Sequence, residues 1–249
     1  MENKLFNSGN YYDLFYKDKN YLAEAKYVDK ILKKFNIPGN KILELGCGTG
    51  KHSRHLSEIG YKILGIERSQ SMIDSVMETI NFKCKKVDIT NFKLRNSFDA
   101  VISLFHVISY QISNENLKKV FKNSFNHLNN NGIFLFDVWF GPAVIHQKPQ
   151  VRVKKIKTNK STIIRIAEPD LIINKNQVNI KYTYYETNTS SKKSKITEET
   201  HPMRYFTIPE LEYIAEGIGF KLLNVEEFLT AKKPSFESWG ICLIFKKNG

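Results

Sequence analysis

The sequence has few cysteines and no long apolar run. Its three cysteines, Cys47, Cys84 and Cys242, are odd in number and far apart, so they form no disulfide framework. No apolar stretch approaches the roughly 20 residues that cross a bilayer, and the first residues lack the apolar region of a signal peptide. No His, Asp or Glu spacing resembles a metal site. We therefore expect a cytoplasmic protein that uses no metal and no membrane partner.

Arginine is also scarce, although the chain is basic. Only six of the 38 basic residues are arginine, and 25 acidic residues leave a net charge of +13. The excess is spread over both halves of the chain, and the abundance of Lys and Asn is typical of an AT-rich genome. We interpret the lysines of the run from Lys148 to Lys160 as a solvated face. The charge thus favours a small anionic substrate over nucleic acid as the partner.

The first half alternates strand and helix patterns. The 249 residues are enough for one domain with an insertion, and 41% hydrophobic residues exclude disorder. Short apolar runs predict buried strands over 41–45, 61–66, 82–87, 98–104 and 132–138, with an amphipathic helix over 115–128. Strands separated by helices indicate an α/β fold with a mostly parallel sheet.

The pattern changes near Gly141 and Pro142. Short alternating segments over 151–157, 162–167, 178–185 and 195–199 predict antiparallel strands with one solvated face. Thr207 and Glu210 then predict a capping box at the start of a helix, followed by strands over 220–229 and 240–247. We predict a core formed by 1–142 and 207–249, and an antiparallel β insertion over 143–206 on the substrate side.

Three consecutive strand ends carry the residues that predict a ligand site. Gly46, Gly48 and Gly50 follow the first strand and lead into a helix, so a ligand can approach main-chain N–H groups there. Glu67 ends the second strand, where a carboxylate can accept hydrogen bonds from a ribose diol. Asp88 follows the third strand. Together they predict a nucleoside-containing cofactor.

Two cofactors compete for this pattern. A nicotinamide site of the form Gly-x-Gly-x-x-Gly would place its third glycine at position 51, which is Lys51. Glu44, just before the loop, also suits a pyrophosphate poorly. S-adenosylmethionine has no phosphate and carries a sulfonium and an ammonium, so acidic neighbours favour it. We predict S-adenosylmethionine, with S-adenosylhomocysteine as the product.

Residues 41–140 resemble the class I S-adenosylmethionine-dependent methyltransferases. Much of the chain is similar to bacterial nucleotide-amino-sugar N-methyltransferases, which share the Tyr-Asp-x-x-Tyr pattern of Tyr12 to Tyr16, the loop from Cys47 to His52 and the segment from Phe98 to Tyr110. The resemblance implies a Rossmann-like sheet whose last strand is antiparallel. It also implies an N-terminal helix that covers the site.

A narrower resemblance concerns the substrate. The segments 137–142 and 201–206 resemble those of capsule- and polysaccharide-modifying methyltransferases. Just after the fifth strand the chain departs from the amino-sugar enzymes, and this leaves the acceptor atom open between nitrogen and oxygen.

The resemblance, together with the position and chemistry of polar residues near the strand ends, assigns residues to roles. The residues expected at the cofactor are Tyr12, Glu44, Gly46, Gly48, Glu67, Arg68, Met72, Asp88, Ile89 and Leu104. The residues expected at the substrate are Phe105, Trp139, Arg152, Arg204 and Tyr205. The candidates for catalysis are His106, Asp137, His201 and Tyr16.

These expectations combine into one function with alternatives. We expect methyl transfer to a small anionic carbohydrate-related metabolite, either a sugar nucleotide or a precursor of a capsule or surface polysaccharide. One alternative is O-methylation of a phosphoryl-type or phosphoramidate oxygen in capsule modification. An RNA methyltransferase and a non-catalytic binding protein are alternatives of other classes. The sequence leaves open which residue is the general base and whether the chain forms a homodimer.

Overall fold

The computed structural model describes residues 9–248, which form two β-sheets and seven α-helices. The helices are α1 Gly9–Phe15, α2 Tyr21–Lys34, α3 Lys51–Glu58, α4 Gln70–Ile73, α5 Asn114–His127, α6 Gly141–Gln147 and α7 Ile208–Glu216. The strands are β1 Lys41–Leu45, β2 Lys62–Glu67, β3 Phe82–Lys86, β4 Phe98–Ser103, β5 Leu128–Trp139, β6 Arg152–Lys157, β7 Ser161–Ile172, β8 Gln177–Asn188, β9 Ser194–Arg204, β10 Phe220–Glu227 and β11 Gly240–Lys247. None of these helices is both long and apolar enough to span a lipid bilayer.

The larger sheet has seven strands in the order β10-β11-β5-β4-β1-β2-β3. Strands β1 to β5 pair in parallel, whereas β11 runs antiparallel to both β5 and β10. This confirms the expected fold, a mostly parallel sheet with an antiparallel last strand. Because parallel strands end at the same edge, the loops after β1, β2, β3 and β4 lie beside one another.

Helices cover both faces of this sheet, which explains why its strands read as continuous apolar runs. All six residues of β4 are buried, and alternate side chains enter separate clusters on opposite faces. On one face Phe121 of α5 contacts Phe134 and Phe136, with ring centroids 5.3 and 5.4 Å apart. The core therefore fixes the edge at which the strands end.

Helix α5 begins at a residue that caps it. Ser113 accepts a hydrogen bond from the backbone N–H of Asn116 at 3.2 Å. We expect Ser113→Ala to lower the free energy of unfolding by about 1 kcal/mol, because one N–H of the first turn loses its partner. Urea denaturation measures this change. Ser190→Ala in an exposed turn is the matched control, and equal losses in the two variants would contradict the role of the cap.

The second sheet is antiparallel, in the order β6-β7-β8-β9. It lies within the predicted insertion, whose exact bounds stay a prediction. Its hairpins are longer than expected, since β7 and β8 have 12 residues each. Glu168, Pro169 and Asp170 interrupt the apolar alternation of β7, although each pairs with a residue of β8.

The insertion starts and ends at one place. The backbone N–H of Gly141 donates to the carbonyl of Phe206 at 2.8 Å, and that of Phe206 donates to the carbonyl of Trp139 at 2.9 Å. A β-bridge joins Phe140 to Phe206. We call this junction, Trp139 to Gly141 with Phe206, the neck. After it, α7 begins with the predicted capping box of Thr207 and Glu210.

One face of the second sheet points toward the carboxyl edge of the first. We call it the roof. The pairing register places its residues on a common face, and all of them line one cavity: Arg152, Arg165, Ala167, Pro169, Ile180, Tyr182, Tyr184, Glu199, His201 and Met203.

Candidate active site

A cavity of about 810 Å³ lies between the carboxyl edge of the larger sheet and the roof. The loops after the parallel strands form one side of it, and α1 contributes aromatic side chains. The site residues expected from the sequence that line this cavity are Tyr12, Tyr16, Gly46, Gly48, Glu67, Arg68, Met72, Asp88, Ile89, Leu104, Phe105, His106, Trp139, Arg152 and His201. Glu44, Asp137, Arg204 and Tyr205 do not line it.

The loop after β1 needs its glycines. Gly46, Gly48 and Gly50 have φ angles of 67°, 57° and 76°, a region that other residues rarely adopt. A Cβ on Gly46 would lie 2.6 Å from Cγ1 of Val107. The backbone N–H groups of Gly46 and Cys47 both donate to the carbonyl of Ile66. The loop is therefore held against β2 with its main chain facing the cavity.

Glu67 is a carboxylate fixed at the cavity wall. Its Oε1 accepts the backbone N–H groups of Arg68 and Ser69, both at 2.8 Å, and its Oε2 accepts that of Gly48 at 3.1 Å. Asp88 lies farther along the same edge, and its Oδ1 accepts hydrogen bonds from Thr90 at 2.8 and 2.6 Å. Both carboxylates are thus held in place by neighbouring donors.

Glu44 lies beneath the loop instead of in the cavity. The hydroxyl of Ser53 donates to it, and Nδ1 of His52 is 3.7 Å away. On the other side of the ring, Nε2 of His52 lies 2.7 Å from Glu24, which also pairs with Lys19. Burial raises the pKa of Glu44, although His52 and Ser53 act in the opposite direction. These residues form a buried polar chain under the loop.

Glu24 should make stability depend on pH. Burial alone would raise its pKa, but His52 and Lys19 hold the pKa below its usual value. The ionised carboxylate therefore stabilises the fold above the ordinary pKa of about 4.3, and this contribution is lost as pH falls below it. We expect Glu24→Gln to cost about 1–3 kcal/mol of unfolding free energy at neutral pH.

The measurement is chemical denaturation of Glu24→Gln and wild type at several pH values. The difference between them should shrink below a pH of about 4. Glu237→Gln, at an exposed carboxylate, is the control. A difference that stays constant down to pH 3 would contradict the assignment.

His106 and Asp137 form a pair beside the cavity. The backbone N–H of His106 lies 3.2 Å from each carboxylate oxygen of Asp137, and Nδ1 lies 2.8 Å from Oδ2. Burial alone would raise the pKa of Asp137, but His106 and Lys19 lower it, so the carboxylate stays ionised. Because Nδ1 faces Asp137, Nε2 is the ring nitrogen left for a ligand.

The backbone around His106 is strained. Phe105 and His106 have φ angles of 65° and 60°, both in the left-handed region. Non-glycine residues adopt this region at a cost, and functional sites are where such strain concentrates. The turn presents the Phe105 and His106 side chains to the cavity.

Aromatic rings from three parts of the chain meet next to His106. Tyr16 of the N-terminal segment lies 4.9 Å from Tyr12 and 5.0 Å from Phe105, measured between ring centroids. Trp139 lies 6.1 Å from the His106 ring. Such π faces attract a cation and exclude water.

Helix α1 touches both sides of the cavity. Asp13 lies 2.8 Å from Nζ of Lys51 and accepts a hydrogen bond from Thr49 at 3.1 Å, which connects α1 to the glycine loop. On the other side, Phe15 is buried against the second sheet, and Tyr11 donates to Glu186 at 2.6 Å. The helix therefore covers the cavity.

His201 belongs to a polar cluster in the roof. Its Nδ1 lies 2.8 Å from the Tyr110 hydroxyl, and its Nε2 lies 3.2 Å from Glu199. Tyr184 donates to the same carboxylate at 3.0 Å. His201 is buried in β9, where it lies on the cavity face of the sheet.

Arg204 and Tyr205 lie away from the cavity, contrary to expectation. The guanidinium of Arg204 pairs with Glu210 and stacks 5.1 Å above the ring of Phe206. Tyr205 donates to the carbonyl of Ile173 at 3.4 Å and lines a smaller pocket near α6. Their observed contacts stabilise the start of α7 and the neck.

Arg165 lines the cavity, and sequence reasoning missed it. It lies in a predicted strand, but its position on the inner face depended on the register of β7. The nearby run of basic residues is also not uniformly solvated, since Lys154 donates to the carbonyl of Phe15 at 2.6 Å. Tyr110, Tyr182, Tyr184 and Trp239 are further cavity residues that the sequence did not indicate.

Comparison with known proteins finds similarity to methyltransferases within the core. Residues 42–132 match the family described as a methyltransferase domain. A dTDP-3-amino-3,4,6-trideoxy-alpha-D-glucopyranose N,N-dimethyltransferase of Streptomyces venezuelae is 28% identical over 134 residues, which cover 53% of this chain and 56% of that protein. The match thus spans about half of that relative.

Two solved structures share the fold over nearly the whole chain. A sugar N-methyltransferase from Streptoalloteichus superposes with a TM-score of 0.82 at 20% identity, covering 96% of this chain and 93% of that one. DesVI of Streptomyces venezuelae gives a TM-score of 0.79 at 20% identity, covering 98% and 99%. The chain therefore shares the class I methyltransferase fold, and its residues 42–132 are similar to a methyltransferase domain.

Proposed function

We propose that this protein is an S-adenosylmethionine-dependent methyltransferase that acts on a small anionic carbohydrate-related metabolite. It works in the cytoplasm and without a nucleic-acid or membrane partner. The substrate is a sugar nucleotide or a precursor of a capsule or surface polysaccharide, and the methylated atom is a nitrogen or an oxygen. The observation that carries the proposal is the His106–Asp137 pair, which lies beside the cavity with Nε2 of His106 left for an acceptor.

The residues at the carboxyl edge fit S-adenosylmethionine. Bound there, it supplies a methyl group on a sulfonium, which is already an activated leaving group. Glu67 would accept hydrogen bonds from the ribose hydroxyls, and Asp88 with the backbone of Ile89 would meet the adenine amine. The main chain at Gly46 and Gly48 would hold the methionine part. Negative carboxylates and aromatic rings suit a cationic ligand better than a pyrophosphate.

The acceptor side provides a base. Nε2 of His106 can take the proton of a hydroxyl as its oxygen attacks the methyl carbon, or the proton of an ammonium before the free amine attacks. Asp137 orients the ring through Nδ1 and stabilises the imidazolium that forms. A phosphoryl oxygen is already anionic and needs no base, so the pair favours a proton-bearing acceptor over the phosphoryl alternative.

The similar proteins support a carbohydrate acceptor. The Streptomyces venezuelae relative is named for an amino-sugar nucleotide, and a similar structure is that of a sugar N-methyltransferase. The roof adds the groups that suit a polar, anionic acceptor, namely two arginines, a His–Glu pair and two tyrosines.

Two measurements test the proposal in sequence. Calorimetry should show binding of S-adenosylmethionine and S-adenosylhomocysteine. Mass spectrometry should then detect S-adenosylhomocysteine formed with a panel of amino- and hydroxy-sugar nucleotides. Absence of cofactor binding would reject the proposal, and binding without turnover across the panel would favour a non-catalytic binding protein. Methyl transfer to RNA, with the steep salt dependence of phosphate contacts, would favour the nucleic-acid alternative.

A further inference from the structure

Arg165 is a cation inside the cavity that has no counter-ion among residues 9–248. Its guanidinium carbon lies 4.6 Å from the ring centroid of Phe15, 5.1 Å from that of Tyr182 and 5.7 Å from that of Tyr16. Its Nε is buried and has no hydrogen-bond partner within the same described part of the chain. Glu199 lies on the same face of the sheet but is engaged by Tyr184 and His201.

A guanidinium without a counter-ion in such a place destabilises the protein unless a ligand supplies the opposite charge. Removing a charge from water without a partner destabilises a protein, and cation–π contacts offset only part of that cost. The surrounding rings also hold the planar group in one orientation, so little freedom is lost when it binds. A guanidinium fork matches the paired oxygens of a phosphoryl group or a carboxylate.

Arg152 adds a second positive charge nearer the opening of the cavity. It pairs across the hairpin with Ala167, which is two residues from Arg165 on the same face. The two arginines therefore occupy diagonal positions, and the backbones of such neighbours are about 7–8 Å apart. Arg152 is exposed, whereas Arg165 is half-buried. Burial raises the pKa of Tyr182, and both arginines counteract that rise, which places both near the same phenol.

We propose that Arg165 is the residue that selects the substrate by its negative charge. It binds one phosphoryl or carboxylate oxygen pair, and Arg152 adds a second contact when two oxyanions follow each other, as in a diphosphate ester. The charged group then lies against the roof, while the methylated atom lies at His106 on the edge of the larger sheet. This inference rests on the proposed function, because it assigns part of the same cavity.

Calorimetry on protein saturated with S-adenosylhomocysteine tests this directly. The probes are uridine diphosphate, which carries two successive phosphoryl groups, and glucuronate, which carries one carboxylate. We expect Arg165→Gln to weaken any bound probe by about tenfold or more, since a charge-assisted fork is lost. Arg165→Lys should retain part of the affinity. Arg152→Gln should weaken uridine diphosphate and leave glucuronate unchanged.

Arg95→Gln is the matched control, because Arg95 is exposed and does not line the cavity. Thermal melting of each variant checks that the fold is intact. Equal probe affinity in wild type and Arg165→Gln would overturn the inference, as would wild-type protein that binds neither probe at millimolar concentration. In both cases normal binding of S-adenosylhomocysteine would leave the proposed function standing, whereas failure of that binding would reject the proposed function itself.

Discussion

Replacing His106 by Asn should lower kcat about 100- to 10,000-fold, the range that a general base contributes. The substitution keeps a polar side chain of similar size but removes the nitrogen that accepts the proton. Binding of S-adenosylhomocysteine should change little, because the edge formed by Gly46, Glu67 and Asp88 is untouched. Steady-state kinetics and calorimetry separate the two effects.

Asp137→Asn should lower kcat through the same pair. The ionised carboxylate lies 2.8 Å from Nδ1 of His106 and favours a proton there, whereas an amide at this position can impose the other tautomer. His55→Asn on α3 is the control, since His55 pairs with Glu58 outside the cavity. Near-normal kcat in both His106→Asn and Asp137→Asn would reject the pair as the proton acceptor.

Replacing Glu67 by Gln should weaken S-adenosylhomocysteine binding by about 100-fold, because hydrogen bonds to a charged acceptor contribute about 1.5–3 kcal/mol each. The carboxylate already accepts three backbone N–H groups, from Gly48, Arg68 and Ser69. An amide would turn a donor toward one of these N–H groups or toward the ribose. The substitution should therefore disturb the loop geometry and weaken the contact with the ribose.

Isothermal calorimetry measures the loss, and Glu216→Gln on the exposed side of α7 is the matched control. Circular dichroism should show the same helix content in both variants. An unchanged affinity in Glu67→Gln would mean that the ribose lies elsewhere, and it would contradict the placement of the cofactor at this edge.

The clustering of the residues proposed to bind the cofactor could be predicted because these residues are local in sequence. Gly46, Gly48 and Glu67 each follow a strand that the apolar runs identify, and parallel strands bring their ends together without further information. Glu44 was expected at the cofactor but does not line the cavity. It precedes the loop, but the structure buries it with Ser53 and His52, since the alternation of β1 turns its side chain away from the cavity.

The part of the cavity proposed to bind the acceptor depended on contacts that the sequence does not encode locally. His106 and Asp137 were separate candidates, and their pairing required the adjacency of β4 and β5. Arg165 and Arg204 both lie in strands of the insertion, yet Arg204 is neutralised by Glu210, six residues later. Which arginine lines the cavity was therefore decided by strand register and by one helix cap.

The neck has a consequence for how such enzymes diversify. The chain leaves the larger sheet at Trp139 and returns at Phe206, and backbone hydrogen bonds join the two points. The second sheet is therefore a segment whose two ends are joined to each other at the neck. Under the proposed function, mutation or recombination within residues 152–204 can exchange the surface offered to the acceptor, while Gly46, Glu67 and the His106–Asp137 pair are inherited unchanged. Acceptor specificity and methyl-donor chemistry can thus evolve on separate parts of one chain.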